Sequence, residues 1–147
     1  KQLGIGCESS AGKAYVHSGG RTTSQRLAWL KLPKQDVFLE SMADAASSIV
    51  EFFKGNMVFI NVMKNLSVDC DCCAVAEDPC MKDIGMLISL DPVAIDQACV
   101  DLIYKATDDP GQKHFIERVE TRHGIHTIEA AAELGVGSRE YELINLD

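Results

Sequence analysis

Residues 84–106 read IGMLISLDPVAIDQACVDLIYKA, and how this stretch is read decides the fold. Its first seven residues, 84–90, are almost wholly apolar. A short run of that kind suits a strand buried on both faces under helices. Asp91 and Pro92 then mark a helix start. An aspartate caps a helix by accepting backbone N–H groups, and the fixed φ of proline suits the first helical position. Asp91 is therefore better explained as a cap than as a catalytic carboxylate. Ile95, Ala98, Cys99, Leu102, Ile103 and Ala106 recur at helical spacing and form one buried stripe.

Upstream, residues 57–63 (MVFINVM) are the twin of 84–90. Before them lies the clearest helix, 36–54, with Phe38, Met42, Ala45, Ala46, Ile49, Phe52 and Phe53 on one face and Gly55 as its stop. Downstream, Asp109-Pro110 repeats the start signal for a helix that buries Phe115, Ile116 and Val119 and ends near Gly124. A short helix is expected over 127–134, stopped by Gly135, and YELINL (141–146) alternates as a final strand. Helices alternating with buried strands give an α/β class. The expectation is a single α/β domain over 1–147, with a small, mostly parallel or mixed sheet covered by helices. Strands so apolar need cover on both faces and neighbours on both edges. The chain also opens Lys1-Gln2-Leu3 without a methionine, so it reads as the C-terminal part of a larger α/β protein.

The 147 residues are 46% hydrophobic, enough for a core that does not depend on disulfides. The net charge of −8 opposes a nucleic-acid partner, because phosphate contacts require clustered Lys and Arg. No stretch approaches the ~20 continuous apolar residues of a membrane span. The start shows no apolar signal-peptide core. A cytoplasmic protein with reduced thiols, and no membrane partner, is the expectation.

Residues 1–35 show little periodicity, and LGIGCESSAGK (3–13) and HSGGRTTS (17–24) read as loops. Gly6, Gly12 and Lys13 evoke a phosphate loop, but the spacing is one residue too long. Ala14 also stands where a magnesium-binding Ser or Thr belongs.

The chemistry concentrates in residues 68–80, VDCDCCAVAEDPC, which hold four of the six cysteines among three aspartates and a glutamate. This run lies in the connection 64–83 between the two apolar strands, which has no helical or strand pattern. Structureless connections of that length are usually functional, disordered or tied down. In open α/β sheets ligands bind at the carboxyl ends of strands, where this loop begins. Thiolates bind zinc, copper(I) or iron–sulfur clusters. Asp69 and Asp71 flank Cys70 and oppose a free nucleophilic thiolate, while a bound cation reverses that penalty. The C-x-C-C-x6-C spacing matches neither the usual zinc pairs nor a bacterial ferredoxin. If 68–72 is extended, Cys70 and Cys72 point the same way, which leaves Cys73 and Cys80 as bystanders. Cys7 and His17 are two further donors that could complete a four-ligand set. His123 is more simply a favourable cation at a helix end. Asp96, one turn into the helix after Asp91, faces either the strand ends or solvent.

Three stretches together, LGIGCESSAGKAYVHS (3–18), INVMKNLSVDCDC (60–72) and DIGMLISLDPVAIDQACVDLIY (83–104), resemble a prokaryotic family of unknown function, the domain of unknown function three-six-two. Its members are often labelled uncharacterised iron–sulfur-centre proteins. The resemblance extends to RHGIHTIEAAAELGVGSREYEL (122–143) and so spans nearly the whole chain. It implies a longer protein with an N-terminal α/β portion before Lys1. Many relatives carry a ferredoxin-type insert after the motif matched by Gly12, Lys13 and His17, and this sequence has none. The family's Gly-Cys and Gly-Lys-x-x-x-His elements fall on Cys7, Lys13 and His17, and its Cys-Asp-Cys falls on Cys70, Asp71 and Cys72.

Three functional readings follow. The first is a metal- or iron–sulfur-binding domain with a redox or electron-transfer role. Its ligands would be Cys70 and Cys72, with Cys7 and His17, the cofactor an iron–sulfur cluster or zinc, and the partner a redox protein. The second is an enzyme acting on a small molecule at the strand ends, with Lys13, Asp71, Asp83 and Asp96 as polar candidates. The third is a non-catalytic half that completes a larger protein or a homo-oligomer through its sheet edge or apolar surface.

Overall fold

The computed structural model describes residues 6, 8–53, 55–69 and 74–146. Among them the chain forms six helices and two strands: α1 (Ser10–His17), α2 (Gln25–Ala28), α3 (Gln35–Phe53), β1 (Phe59–Met63), β2 (Gly85–Ser89), α4 (Pro92–Lys105), α5 (Gln112–Thr121) and α6 (His126–Glu133). The class is mixed α/β. The mostly parallel or mixed sheet that was expected is not what forms. β1 and β2 run antiparallel, with Phe59 opposite Ser89 and Met63 opposite Gly85. The reason lies in the connection. Parallel strands need a crossover, usually a helix. The two ends of the connection instead lie side by side, with Leu66 bridging Met81 and the Ile84 N–H donating to the Met63 carbonyl at 2.9 Å.

Cover on both faces is also corrected. Alternation along β1 and β2 turns Met63 and Leu87 toward α4 and leaves Ile60, Val62, Met86 and Ile88 exposed. The apolar runs are as read, but among the described residues a helix covers only one face. The helices stack away from that face: α4 lies on the sheet, α5 and α6 on α4, α3 on α6, and α1 with α2 beyond α3. One core cluster centres on Met63, Met81 and Ile103, joined by Leu66, Phe115 and Ile116. A second forms where Val16 of α1 meets Met42 and Phe38 of α3.

The cap at Asp91 is present. Its Oδ1 accepts from the Val93 and Ala94 N–H groups at 2.8 and 2.9 Å, and its Oδ2 accepts from the Ser138 N–H at 2.8 Å. At the other end of α4, the buried Gln112 amide donates to the Ile103 and Tyr104 carbonyls, two groups a helix end leaves without partners. The α3 stripe is shorter than read. Leu39, Met42 and Ala43 are buried, whereas Phe52 and Phe53 are exposed at its end.

Two expectations fail locally. Residues 10–17 are helical, because the Ser9 Oγ accepts from the Gly12 N–H at 3.2 Å and caps α1. Gly12 and Lys13 thus lie within a helix. The segment 141–146 forms no strand. Its anchors run along α4 instead: the Tyr141 hydroxyl donates to Asp101 Oδ2 at 2.6 Å, and Arg139 reaches Gln97 at 2.9 Å. That hydrogen bond to Asp101, followed by desolvation, pushes the Tyr141 hydroxyl up to about 12.

Two histidines tie α3 to the C-terminal helices. His123 closes α5 in a left-handed conformation, and its Nδ1 meets Asp36 Oδ1 at 2.7 Å. His126 Nε2 meets Glu40 Oε1 at 2.9 Å. The hydrogen bond to Glu40 raises the His126 pKa above the ordinary 6.5. A raised histidine stabilises the fold fully below its unfolded value, and that contribution is lost as pH rises through the folded value. A partly exposed pair gives a modest effect. Thermal melts are therefore expected to fall slightly as pH climbs above 6.5 and through the raised value. His126→Gln is expected to flatten that limb; a wild-type curve already as flat as the variant's would contradict the pairing.

Candidate metal centre

Cys7, Cys70, Asp71, Cys72 and Cys73 lie outside the described residues, but both stems of the cysteine loop are described. The first stem leaves β1 through Asn65, whose N–H donates to Asp83 Oδ1 at 2.9 Å. Lys64 Nζ lies 3.4 Å from Asp83 Oδ2. That backbone donor, and then Lys64, hold the Asp83 carboxyl below the usual range. The Leu66 carbonyl next accepts from the Cys80 N–H at 2.8 Å. Further out, Ser67 Oγ donates to the Glu77 carbonyl, and the Glu77 N–H donates to Asp69 Oδ2 at 3.0 Å. The two stems are thus bonded to each other up to Asp69, the residue before Cys70.

Helix α5 clamps the same place. Arg118 donates from Nη1 to Asp69 Oδ1 at 2.7 Å and from Nη2 to Glu77 Oε1 at 3.2 Å. His114, one turn earlier, meets Glu77 Oε2 at 2.7 Å. The Asp69 side chain is 16% exposed and that of Arg118 is 31%. The Glu77 N–H first, and Arg118 second, hold the Asp69 carboxyl below its ordinary value. One of the two charges flanking Cys70 is thereby matched by a guanidinium, which reduces the repulsion that a thiolate at Cys70 meets. Farther along, the Lys82 N–H donates to Asp109 Oδ2 at 2.8 Å, fixing the return stem to the start of α5.

Sequence reading alone missed this clamp. Its signal was available: His114 and Arg118 are four apart on α5 and so share a face, and Glu77 is an acid within the loop.

The two described cysteines behave as bystanders. Cys80 packs into the Met63, Met81 and Ile103 cluster, and burial pushes its thiol pKa up. Cys99 accepts from Asn61 Nδ2 at 3.3 Å and is likewise raised by burial. Both are free thiols.

His17 is the one described member of the expected ligand set. Its Nδ1 lies 2.6 Å from the Lys13 carbonyl, and its ring sits 5.4 Å from that of Phe38. A carbonyl only accepts, so Nδ1 carries the proton and neutral His17 keeps its lone pair on Nε2. Metal-binding histidines are usually oriented this way, by a second hydrogen bond at the other nitrogen. Among the described elements α1 touches only α2 and α3, whereas the loop springs from β1 and is held by α5. Among the described residues no group of three or more His, Cys, Asp or Glu side chains forms a metal-holding set.

The polar residues of the enzyme reading are dispersed. Lys13 is on α1, Asp83 is spent on the loop stem, and Asp96 Oδ1 accepts from Asn61 Nδ2 at 2.7 Å. A groove of about 630 Å³ is lined by Tyr15, Glu40, Ser41, Asp44, His126 and Glu133 among others, and one of about 360 Å³ lies by His123. Lys13, Asp83 and Asp96 line neither. The antiparallel pairing also puts the end of β1 beside the start of β2, so no row of strand carboxyl ends is formed. No described helix is long and apolar enough to cross a membrane.

The family described as "Domain of unknown function (DUF362)" matches residues 1–101, a span that includes both strands, the cysteine loop and most of α4. No curated protein and no solved structure matches the chain.

Proposed function

The chain belongs to the DUF362 family, and on that premise we propose that it is a metal- or iron–sulfur-binding domain with a redox or electron-transfer role. Its core ligands are the thiolates of Cys70 and Cys72, with Cys7 and His17 as the candidates for the remaining positions. The observation that carries this reading is the clamp on the loop stems. Arg118, Asp69 and Glu77 fix the point from which Cys70 departs, and hydrogen bonds from Ser67 and Cys80 join the stems behind it. Ordering a long loop costs conformational entropy, and a ligand loop tied at its base has less left to lose on binding.

The donor chemistry agrees. Two thiols of a C-x-C unit and an imidazole with a free Nε2 lone pair suit zinc or an iron–sulfur centre. A bound cluster supplies one-electron exchange, and zinc supplies a structural or Lewis-acid centre. The protein's own part is to hold Cys70 beside a carboxylate already paired with Arg118, and to keep Cys80 and Cys99 out of the ligand set by burial.

The Cys70→Ser/Cys72→Ser chain, purified beside wild type without oxygen or chelators, is expected to retain at least ~10-fold less metal. Equal metal in the two proteins would end the assignment.

A further inference from the structure

Charge is unevenly spread along this chain. Residues 9–35 hold five of its 14 Lys and Arg and none of its 22 Asp and Glu. Four of those five, Arg21, Arg26, Lys31 and Lys34, fall in the stretch that carries α2 and leads into α3, and all four are exposed. Among the described residues the ion pairs of lysine and arginine are made by Lys64, Arg118 and Arg139, so these four cations are unmatched. The first acids of α3 are engaged elsewhere, Asp36 with His123 and Glu40 with His126.

Large apolar side chains stand between the cations. Trp29 is 73% exposed, Leu30 77% and Leu32 58%, while Ala28 is the buried residue of α2. Among the described elements α2 packs against α1 alone, which leaves it at the edge of the molecule. Residues 21–34 line neither of the two grooves, so these side chains project from the surface rather than enclose a pocket. Exposed Trp and Leu interleaved with Lys and Arg is the composition of a segment that lies in a membrane–water interface.

We propose that residues 21–34 dock this chain on the surface of a bilayer of anionic phospholipids. Trp29 and Leu30 enter the headgroup boundary, and Arg21, Arg26, Lys31 and Lys34 meet the lipid phosphates. Charge selects this occupant. A second copy meeting the patch about a two-fold axis would set four cations against four. Cover by another protein would need a fixed carboxylate for each cation, yet among the described residues no hydrogen bond holds any of the four side chains in place. Fluid headgroups match cations wherever they stand, and the acyl boundary takes Trp and Leu without a complementary pocket. The expectation of no membrane partner rests on the lack of a spanning segment, and a peripheral contact needs none. The inference does not depend on the cysteine loop, because none of these residues lies in 64–83.

Trp29 is the chain's single tryptophan, so its emission reports on this patch alone. The full 147-residue chain is to be mixed with vesicles of phosphatidylcholine and phosphatidylserine, and separately with vesicles of phosphatidylcholine. Co-sedimentation with the anionic vesicles and a blue shift of Trp29 emission are expected, with binding to the neutral vesicles at least ~10-fold weaker. The net charge of −8 sharpens the test, because a chain read only by its total charge is repelled by anionic vesicles. The Lys31→Glu/Lys34→Glu chain is expected to bind at least ~10-fold more weakly than wild type, with an unchanged far-UV circular dichroism spectrum. Wild type that ignores the anionic vesicles overturns the inference and leaves the patch to an acidic protein. Sedimentation without a Trp29 shift overturns it by placing the contact elsewhere, as does a double variant that binds like wild type. Should the double variant fail to fold, salt takes its place. Wild-type binding lost at about 1 M salt supports the lipid contact, and binding unchanged there overturns it.

Discussion

Gly111→Ala is expected to lower the unfolding free energy by about 3 kcal/mol or more. Gly111 has φ −85° and ψ −12°, a conformation open to any residue, so the cost is not conformational. It is a collision. A Cβ added there runs into the carbonyl of Cys80 and lies 3.2 Å from the Met81 nitrogen. That backbone cannot retreat cheaply. The Cys80 N–H is bonded to Leu66, the Lys82 N–H is bonded to Asp109, and Met81 is buried in the core. Either α5 lifts from the return stem or the stem detaches, and both loosen the base of the cysteine loop. Gly55→Ala is the control. Gly55 sits at φ +81° with open space around it, so alanine there costs only the left-handed strain, about 1 kcal/mol. Chemical denaturation of the two variants checks the difference, and equal midpoints would contradict the close approach.

Asp91→Ala is expected to cost about 2–3 kcal/mol. One carboxylate caps α4 through two N–H groups and holds the Ser138 N–H as well. The loss therefore combines a helix cap with the anchor of the C-terminal segment. Asp91→Asn keeps one acceptor oxygen but turns an NH2 toward one set of N–H donors, so it should fall between alanine and wild type. Denaturation midpoints in the order wild type, Asn, Ala are expected. Asn no better than Ala would mean that the carboxylate charge, rather than the capping geometry, holds the site.

These two residues differ in how visible they were. Asp91-Pro92 before a helical stripe is a local signal, and the sequence carries it in full. α3, α4 and the positions of both apolar strands were legible for the same reason: each is a periodic or continuous pattern within one segment. Gly111 carries no such signal, because the carbonyl it meets belongs to a residue 31 positions earlier. The direction of strand pairing was illegible for a related reason. An apolar run reports that both faces avoid water, not which partner supplies the cover, so MVFINVM read as a strand buried on both faces of a mostly parallel or mixed sheet. The hairpin-like closure at Leu66 and Met81 decided otherwise. α1 escaped notice because it is eight residues long with a glycine in its first turn, and only Ala14 and Val16 are buried. YELINL alternates, yet Tyr141 and Arg139 find their partners on α4.

The candidate centre was legible as chemistry and illegible as support. Cysteines with intervening aspartates stand out in the sequence, whereas the guanidinium that answers Asp69 lies 49 residues away. That clamp also changes the electrostatic argument. Asp69 and Asp71 read as two unmatched charges beside Cys70, but the Asp69 charge is met by Arg118. The case for a metal thus rests on the thiol pair and the tied stems rather than on raw acidity.

Metal analysis of the protein purified without oxygen or chelators, paired with its visible absorption spectrum, tests the central claim most directly. The account predicts near-stoichiometric metal. A brown protein with iron and acid-labile sulfide would identify a cluster suited to electron transfer, and a colourless protein with zinc would identify a structural or Lewis-acid centre. Protein that binds neither iron nor zinc under these conditions, even after reconstitution with each, would contradict the account and leave residues 68–80 as a clamped loop of ordinary thiols.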